Sequence, residues 1–289
     1  MKASESLFLD VRGLRYHVRS WGRHGAPKLF LLHGWMDVSA SFQFVVDALR
    51  GDWHVLAPDW RGYGLTDWAG TDAYWYPDYF ADLDRLLAHF QPDEPVNLVG
   101  HSMGGNIACV YSGLRPARIR RLVNLEGLVI RDNEPEEAPK RYARWLDQLR
   151  VEQAFRDYTS FDELAVRLRE KNARLTPERA LFLARHWGEQ RSDGRVALRS
   201  DPAHKRVNPV LYRMAEIAAC MRNITAPVLW VVGELTDVPH RLRLSPQELT
   251  RRKAYIAHLS EATIEGAGHM LHHDQPERLA RVMEEFFAR

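Results

Sequence analysis

Cysteine is scarce in this sequence. Cys109 and Cys220 are the only two in 289 residues, and each sits in a stretch patterned like a helix. That argues against a disulfide framework and for a reducing, cytoplasmic setting. Long apolar runs are missing too. No stretch approaches the ~20 residues needed to span a bilayer, so no membrane span is expected. The opening residues Met1-Lys2-Ala3-Ser4-Glu5-Ser6 contain no apolar segment, and no secretory signal is expected. Neither sign of charge dominates: 40 Lys and Arg stand against 38 Asp and Glu, for a formal net charge of +2. So small an excess does not point to nucleic acid. Arginines alternate with acids along helix-like stretches, as on solvated helix faces. No internal repeat and no low-complexity tract is apparent.

What is present is a globular composition, 45% hydrophobic and 27% charged. The length suits a single α/β domain carrying an insertion. Residues 7–11 and 14–21 read as two strands joined by Arg12-Gly13, a hairpin and hence an antiparallel start. Short apolar strands then alternate with helix-like segments. Strands are expected at residues 28–32, 53–57, 96–100 and 121–125, and helices at 39–49, 78–90 and 106–114. From about residue 128 to 222 the alternation lapses into helix-like pieces at 140–155, 161–172, 177–187 and 209–221, with Thr176 as a cap. Alternation resumes with a strand at 228–233, a helix near 245–259, a short strand at 262–264 and a closing helix at 276–287. The domains expected are a core over residues 1–127 and 223–289 and an inserted helical cap over 128–222. Such alternation means a mostly parallel sheet with helices on both faces, and ligands bind at the carboxyl ends of its strands.

One such end carries the sharpest motif. The run Val96-Asn97-Leu98-Val99 ends in Gly100-His101-Ser102-Met103-Gly104-Gly105 and passes into a helix. Gly-x-Ser-x-Gly between a strand and a helix is the context of a nucleophile elbow. Gly100 and Gly104, lacking Cβ, suit a turn in which flanking backbone comes close to the serine.

The chain resembles the α/β-hydrolase fold superfamily, in its serine-hydrolase form with a helical cap. The resemblance rests on the opening hairpin, His33-Gly34-Trp35, Asp59-x-Arg61-Gly62-x-Gly64, the elbow, residues 233–237 and Gly266-Ala267-Gly268-His269. It implies Ser102 as nucleophile and His269, in the loop after the last strand, as the base that takes its proton. The acid is Asp237 in the usual position after the 228–232 strand. The alternative is Glu126, after the 121–125 strand. The backbone N–H groups of Met103 and Trp35 are the expected oxyanion hole. Asp59, Arg61, Gly62 and Gly64 read as structural braces. His33, Trp35, His101, Leu128, Trp145 and Met270 are pocket candidates, and Leu146, Leu149, Trp187 and Tyr212 are further cap candidates. His272 and His273 read as surface or loop-packing residues. No three-ligand spacing supports zinc, so no metal is expected, and no cofactor. The implied function is hydrolysis of a small-molecule ester or related acyl compound, by a monomer or homodimer. C–C hydrolysis, lactone hydrolysis or cofactor-free peroxidase chemistry with the same residues is the alternative. A non-catalytic binding protein is the third reading.

Overall fold

The computed structural model describes residues 1–128 and 130–289. The chain opens with β1 (Ser4–Val11) and β2 (Leu14–Trp21), paired antiparallel in continuous register. Both turn residues have positive φ, +55° at Arg12 and +80° at Gly13, the geometry that matches the twist of a two-residue hairpin. Then come β3 (Lys28–Leu32), α1 (Gln43–Ala48) after a 3₁₀ turn over Ser39–Phe42, β4 (His54–Pro58), α2 (Tyr76–Phe90), β5 (Val96–His101), α3 (Met103–Leu114) and β6 (Ile119–Leu125). Helix α2 begins two residues earlier than the sequence suggests. Asp78 lies in its first turn and accepts a bond from the Trp75 indole rather than capping the backbone.

The insertion follows. It holds α4 (Ala138–Leu149), α5 (Phe161–Lys171), α6 (Pro177–Trp187) and a small antiparallel hairpin of β7 (Gly188–Gln190) and β8 (Val196–Leu198). Ser160 and Thr176 cap α5 and α6 by accepting backbone N–H bonds from Glu163 and Arg179. Last come α7 (Met214–Met221), β9 (Val228–Gly233), α8 (Val238–Arg241), α9 (Pro246–Lys253), β10 (Leu259–Ile264), α10 (Leu271–Asp274) and α11 (Pro276–Phe287).

The eight-stranded sheet runs β1-β2-β4-β3-β5-β6-β9-β10 and is parallel from β4 to β10. Each inner strand alternates its side chains between two cores. Phe30, Leu98, Leu122 and Trp230 meet α2, α3 and α7 on one face. Leu31, Val99, Val123 and Val231 meet α1 and α11 on the other. Burial on both faces explains why these strands read as solid apolar runs in the sequence.

Helix α7 falls inside the expected cap span yet packs with the core. Met214, Ala218 and Met221 are buried in the α2–α3 layer. Its backbone comes so close to α3 that a Cβ on Gly113 would sit 1.8 Å from the Cys220 carbonyl oxygen. The remaining insertion has its own small core around Leu164, Leu183, Ala184 and Val196. It is pinned to the core by Asn172 and Arg174, which bond the Asp274 carboxylate at 2.6 Å each. No described helix is long and apolar enough to cross a membrane.

Candidate active site

Ser102 occupies the turn between β5 and α3 with φ +52° and ψ −113°. A serine tolerates so sparse a region only when its surroundings enforce it. They do so by close contact. A Cβ on Gly100 would lie 2.4 Å from the Gly104 carbonyl oxygen, and one on Gly104 would lie 2.2 Å from that of Leu32. The Ser102 N–H donates to the Leu125 carbonyl at 2.8 Å, tying the elbow to the end of β6.

That strand end carries the carboxylate that faces His269. Glu126 and Leu128 both have positive φ, +58° and +66°, in a tight turn around Gly127. Asn124 holds the turn: it accepts from Gly127 N–H at 2.8 Å and donates to the Gly105 carbonyl at 3.2 Å, linking the acid's turn to the elbow helix. Sequence reasoning assigned Asn124 no role, and only spatial proximity reveals one. The Glu126 carboxylate is 2% exposed. Its Oε1 accepts the Gly233 N–H at 2.6 Å, and its Oε2 accepts the Thr236 hydroxyl at 2.7 Å. Oε2 also lies 3.3 Å from His269 Nδ1, while His269 Nε2 lies 3.1 Å from Ser102 Oγ.

Among the described residues the carboxylate within reach of His269 Nδ1 is that of Glu126, the alternative acid, and not that of Asp237, the first choice. Asp237 precedes α8, its side chain is 65% exposed, and it pairs with Arg241 at 2.9 Å. The strand before it does reach the site, but what it offers Glu126 is the Gly233 N–H and the Thr236 hydroxyl.

The expected oxyanion donors flank Ser102. Met103 opens α3, where the first N–H groups have no acceptor within the helix. The Gly34-Trp35 loop closes from the other side, with a Cβ on Gly34 falling 3.3 Å from the Ser102 Cβ.

A cavity of about 470 Å³ opens above Ser102 and His269. Trp35, His101 and Met270 line it, joined by Met103, Asn106 and Tyr212. An arc of Tyr74, Trp75, Tyr76 and Tyr79 from the start of α2 forms another wall. Three expected pocket residues lie elsewhere. His33 is fully buried below the site, with Nδ1 donating to the Gly34 carbonyl and Nε2 accepting the Trp60 N–H. Leu128 belongs to the core, and Trp145 is not among the lining residues. Of the further cap candidates only Tyr212 lines the cavity; Trp187 instead bonds the Ser41 hydroxyl at 3.1 Å, between cap and core.

Two cationic side chains at the cavity escaped the sequence reading. Arg241 is paired with Asp237. Arg206 forms no ion pair among the described residues, and its buried Nε has no hydrogen-bond partner there. Nothing in a sequence with this many arginines singles Arg206 out.

Away from the cavity, Asp59 accepts the Ser39 and Leu65 N–H groups and pairs with His17 at 2.7 Å. Despite burial, those bonds hold its carboxyl well below the usual carboxylate range. Arg61 binds Asp82 through two bonds at 2.5 and 2.6 Å. His272 and His273, read as surface or loop-packing residues, are buried at 0% and 2% exposure.

Known proteins agree with this architecture. Residues 27–276 match the family model described as alpha/beta hydrolase fold. A serine hydrolase-like protein of Danio rerio is 38% identical over 108 residues, 37% of this chain and 32% of that protein. The match therefore spans about a third of that relative. A 3-hydroxybutyrate-oligomer hydrolase of Cupriavidus necator is 30% identical over 289 residues, covering 95% of this chain and 92% of that one. The solved thioesterase domain from the curacin biosynthetic pathway shares the fold, with TM-score 0.88 at 24% identity over 98% of this chain and 99% of that one. With the family match running from β3 to the start of α11, the chain belongs to the alpha/beta hydrolase fold family.

Proposed function

We propose that this chain is a serine hydrolase that cleaves a carboxylic ester through an acyl-enzyme on Ser102. One observation carries the reading: His269 stands between Ser102 Oγ at 3.1 Å and the buried Glu126 carboxylate at 3.3 Å. In that arrangement Glu126 keeps the proton on His269 Nδ1 and leaves Nε2 free as base. As Ser102 Oγ attacks the ester carbonyl, its proton passes to Nε2. The Met103 and Trp35 N–H groups meet the negative oxygen of the tetrahedral intermediate. His269 then returns the proton to the departing alcohol. Water, deprotonated by the same nitrogen, releases the acid and restores Ser102.

The substrate class follows from the walls. Aromatic rings suit a short apolar acyl or alkyl group, and the unpaired Arg206 suits an anion. We therefore favour a small ester that carries its own carboxylate. Oligomers of 3-hydroxybutyrate, after which the Cupriavidus necator relative is called, have that chemistry: ester links and one free carboxylate end.

The test is a panel of short neutral esters, lactones and hydroxyacid ester dimers. Wild-type enzyme should turn over the esters, and Ser102→Ala should lose both turnover and labelling by a fluorophosphonate. Labelling of Ser102→Ala overturns the nucleophile. Arg206→Gln should raise KM about ten-fold for the carboxylate-bearing dimers, the loss of one charge-assisted contact, and leave neutral esters unchanged. An equal effect on both removes Arg206 as the anion contact.

A further inference from the structure

Behind His269 lies a second polar cluster that the hydrolytic reading does not use. Three separate segments deliver it: Asp37 from the loop after β3, His101 from the end of β5, and His272 from α10. All three are at least 98% buried, and one ligand-type atom from each lies within 4.8 Å of the others. In each, the atom facing the cluster has no hydrogen-bond partner among the described residues: Asp37 Oδ2, His101 Nδ1 and His272 Nε2. Buried polar atoms left unpaired cost free energy, so three converging on one point call for an occupant.

The surroundings leave these atoms free as electron-pair donors. His101 Nε2 donates to the His269 carbonyl at 2.9 Å, so the neutral ring keeps a bare lone pair on Nδ1. Asp37 Oδ1 is held by the Val38 N–H at 2.8 Å and by the Ser41 hydroxyl, which leaves Oδ2 for another partner. His272 Nε2 already stands 3.5 Å from that oxygen. His272 is clamped between the rings of Phe42 and His273, with centroids 5.3 and 4.1 Å away. Burial keeps both cluster histidines neutral, and His272 is pushed down to about 3.

We propose that Asp37, His101 and His272 form a binding site for one zinc-class divalent ion, Zn²⁺ or Co²⁺. Two neutral imidazoles and one carboxylate are the ligand types such ions prefer; outer bonds to the His269 carbonyl, Val38 and Ser41 orient His101 and Asp37, and ring packing alone holds His272. Ligands on a tetrahedral zinc stand about 3.3 Å apart. The Asp37–His272 pair, at 3.5 Å, is already near that spacing, and His101 Nδ1 lies within 4.8 Å of both, so binding draws it inward. Because Asp37 and His101 also line the substrate cavity, the ion reaches the site through it, and water or a substrate group takes the fourth position.

Occupancy bears on the neighbouring base. The rings of His101 and His269 are 4.9 Å apart, centroid to centroid. A dication on His101 opposes the positive charge that His269 acquires as it takes a proton. Bound Zn²⁺ therefore inhibits. This consequence rests on the hydrolase reading; the binding itself does not.

The experiment strips the full chain with a chelator and titrates it with Zn²⁺ by equilibrium dialysis and with Co²⁺ by visible absorption. Wild type should take up one ion per chain, and Co²⁺ should show the d–d bands of a low-coordinate nitrogen–oxygen site. His272→Phe, and independently the near-isosteric Asp37→Asn, should weaken uptake by at least about ten-fold while circular dichroism shows a folded chain. Half-inhibition of ester turnover should require at least about ten-fold more Zn²⁺ in His272→Phe, relative to that variant's own uninhibited rate. Absence of saturable uptake by the folded wild type, leaving a buried water as occupant, overturns the proposal. So does undiminished uptake by both variants. Uptake without any ester turnover would sink the hydrolase reading and leave the metal site standing.

Discussion

Glutamine at position 126 changes the chemistry of the buried turn after β6 and almost none of its volume. The structure dictates how the amide must sit. The Oε1 position faces the Gly233 N–H at 2.6 Å, and only an oxygen can accept there. The NH₂ group is therefore forced to the Oε2 position, toward Thr236 and His269. The Thr236 hydroxyl can rotate to accept, so the turn stays satisfied. His269 cannot adapt without harm. Facing a donor, its Nδ1 must become the acceptor, which moves the ring proton to Nε2 and leaves Ser102 without a base. The loss should be about 10⁴-fold in kcat, the scale measured when a triad acid becomes its amide, or about 5 kcal/mol of barrier. Steady-state kinetics on a p-nitrophenyl ester, with thermal unfolding as a check on folding, reads it directly. Asp237→Asn is the control. It loses only an exposed pair with Arg241, so kcat should stay within about three-fold. A Glu126→Gln enzyme that keeps a tenth of wild-type kcat, or an Asp237→Asn enzyme that falls by orders of magnitude, would refute the reasoning.

Other perturbations address the scaffold. Gly113→Ala sets a Cβ 1.8 Å from the Cys220 carbonyl oxygen, so α3 and α7 must separate. Urea unfolding should show a loss of about 3 kcal/mol, at the upper end for overpacked cores, and an unchanged midpoint would mean that α7 does not dock there. His204 lies stacked between Tyr63 and Tyr74, with centroids 3.9 and 3.7 Å away, and burial pushes its pKa down to about 3. A folded-state value below the unfolded one of about 6.5 makes unfolding take up a proton between those limits. Its contribution to stability is complete above about pH 6.5 and is lost progressively as pH falls toward 3. The slope is up to about 1.4 kcal/mol per pH unit. Replacing it in His204→Phe should flatten the pH dependence of the urea midpoint between pH 6.5 and 4 by that amount; parallel curves would show that His204 does not titrate on unfolding.

Much of the fold was legible because its strands are buried on both faces and short turns separate the elements. Strand β3, helix α6 and helix α11 fall where apolar spacing and caps put them. The reading of residues 128–222 as one inserted cap groups helix α7 with the cap helices. Helix α7 follows those helices before the strand–helix alternation resumes, and its packing against α3 sets it beside the core. The β7–β8 hairpin is absent from the sequence reading, because three-residue strands carry too little alternation to register.

The same division runs through the site. Gly-x-Ser-x-Gly between a strand and a helix identifies Ser102 locally, since the strained turn needs glycines at fixed neighbours. The Gly-rich turn before His269 is likewise a local signal. The acid carries no such signal. Glu126 and Asp237 both follow parallel strands, and sequence position cannot tell which carboxylate is buried against His269 and which points to solvent. Neither Arg206 at the cavity nor the Asp37–His101–His272 cluster has a spacing to detect, because the side chains come from elements that meet only when the sheet has folded. The sequence by itself determined where most strands fall and that Ser102 sits on a tight strand–turn–helix, both of which depend on neighbours a few residues apart. The tertiary structure decided which carboxylate faces His269, which side chains line the cavity and where the buried polar cluster forms, because those depend on distances across the sheet and on which side chains it hides from water.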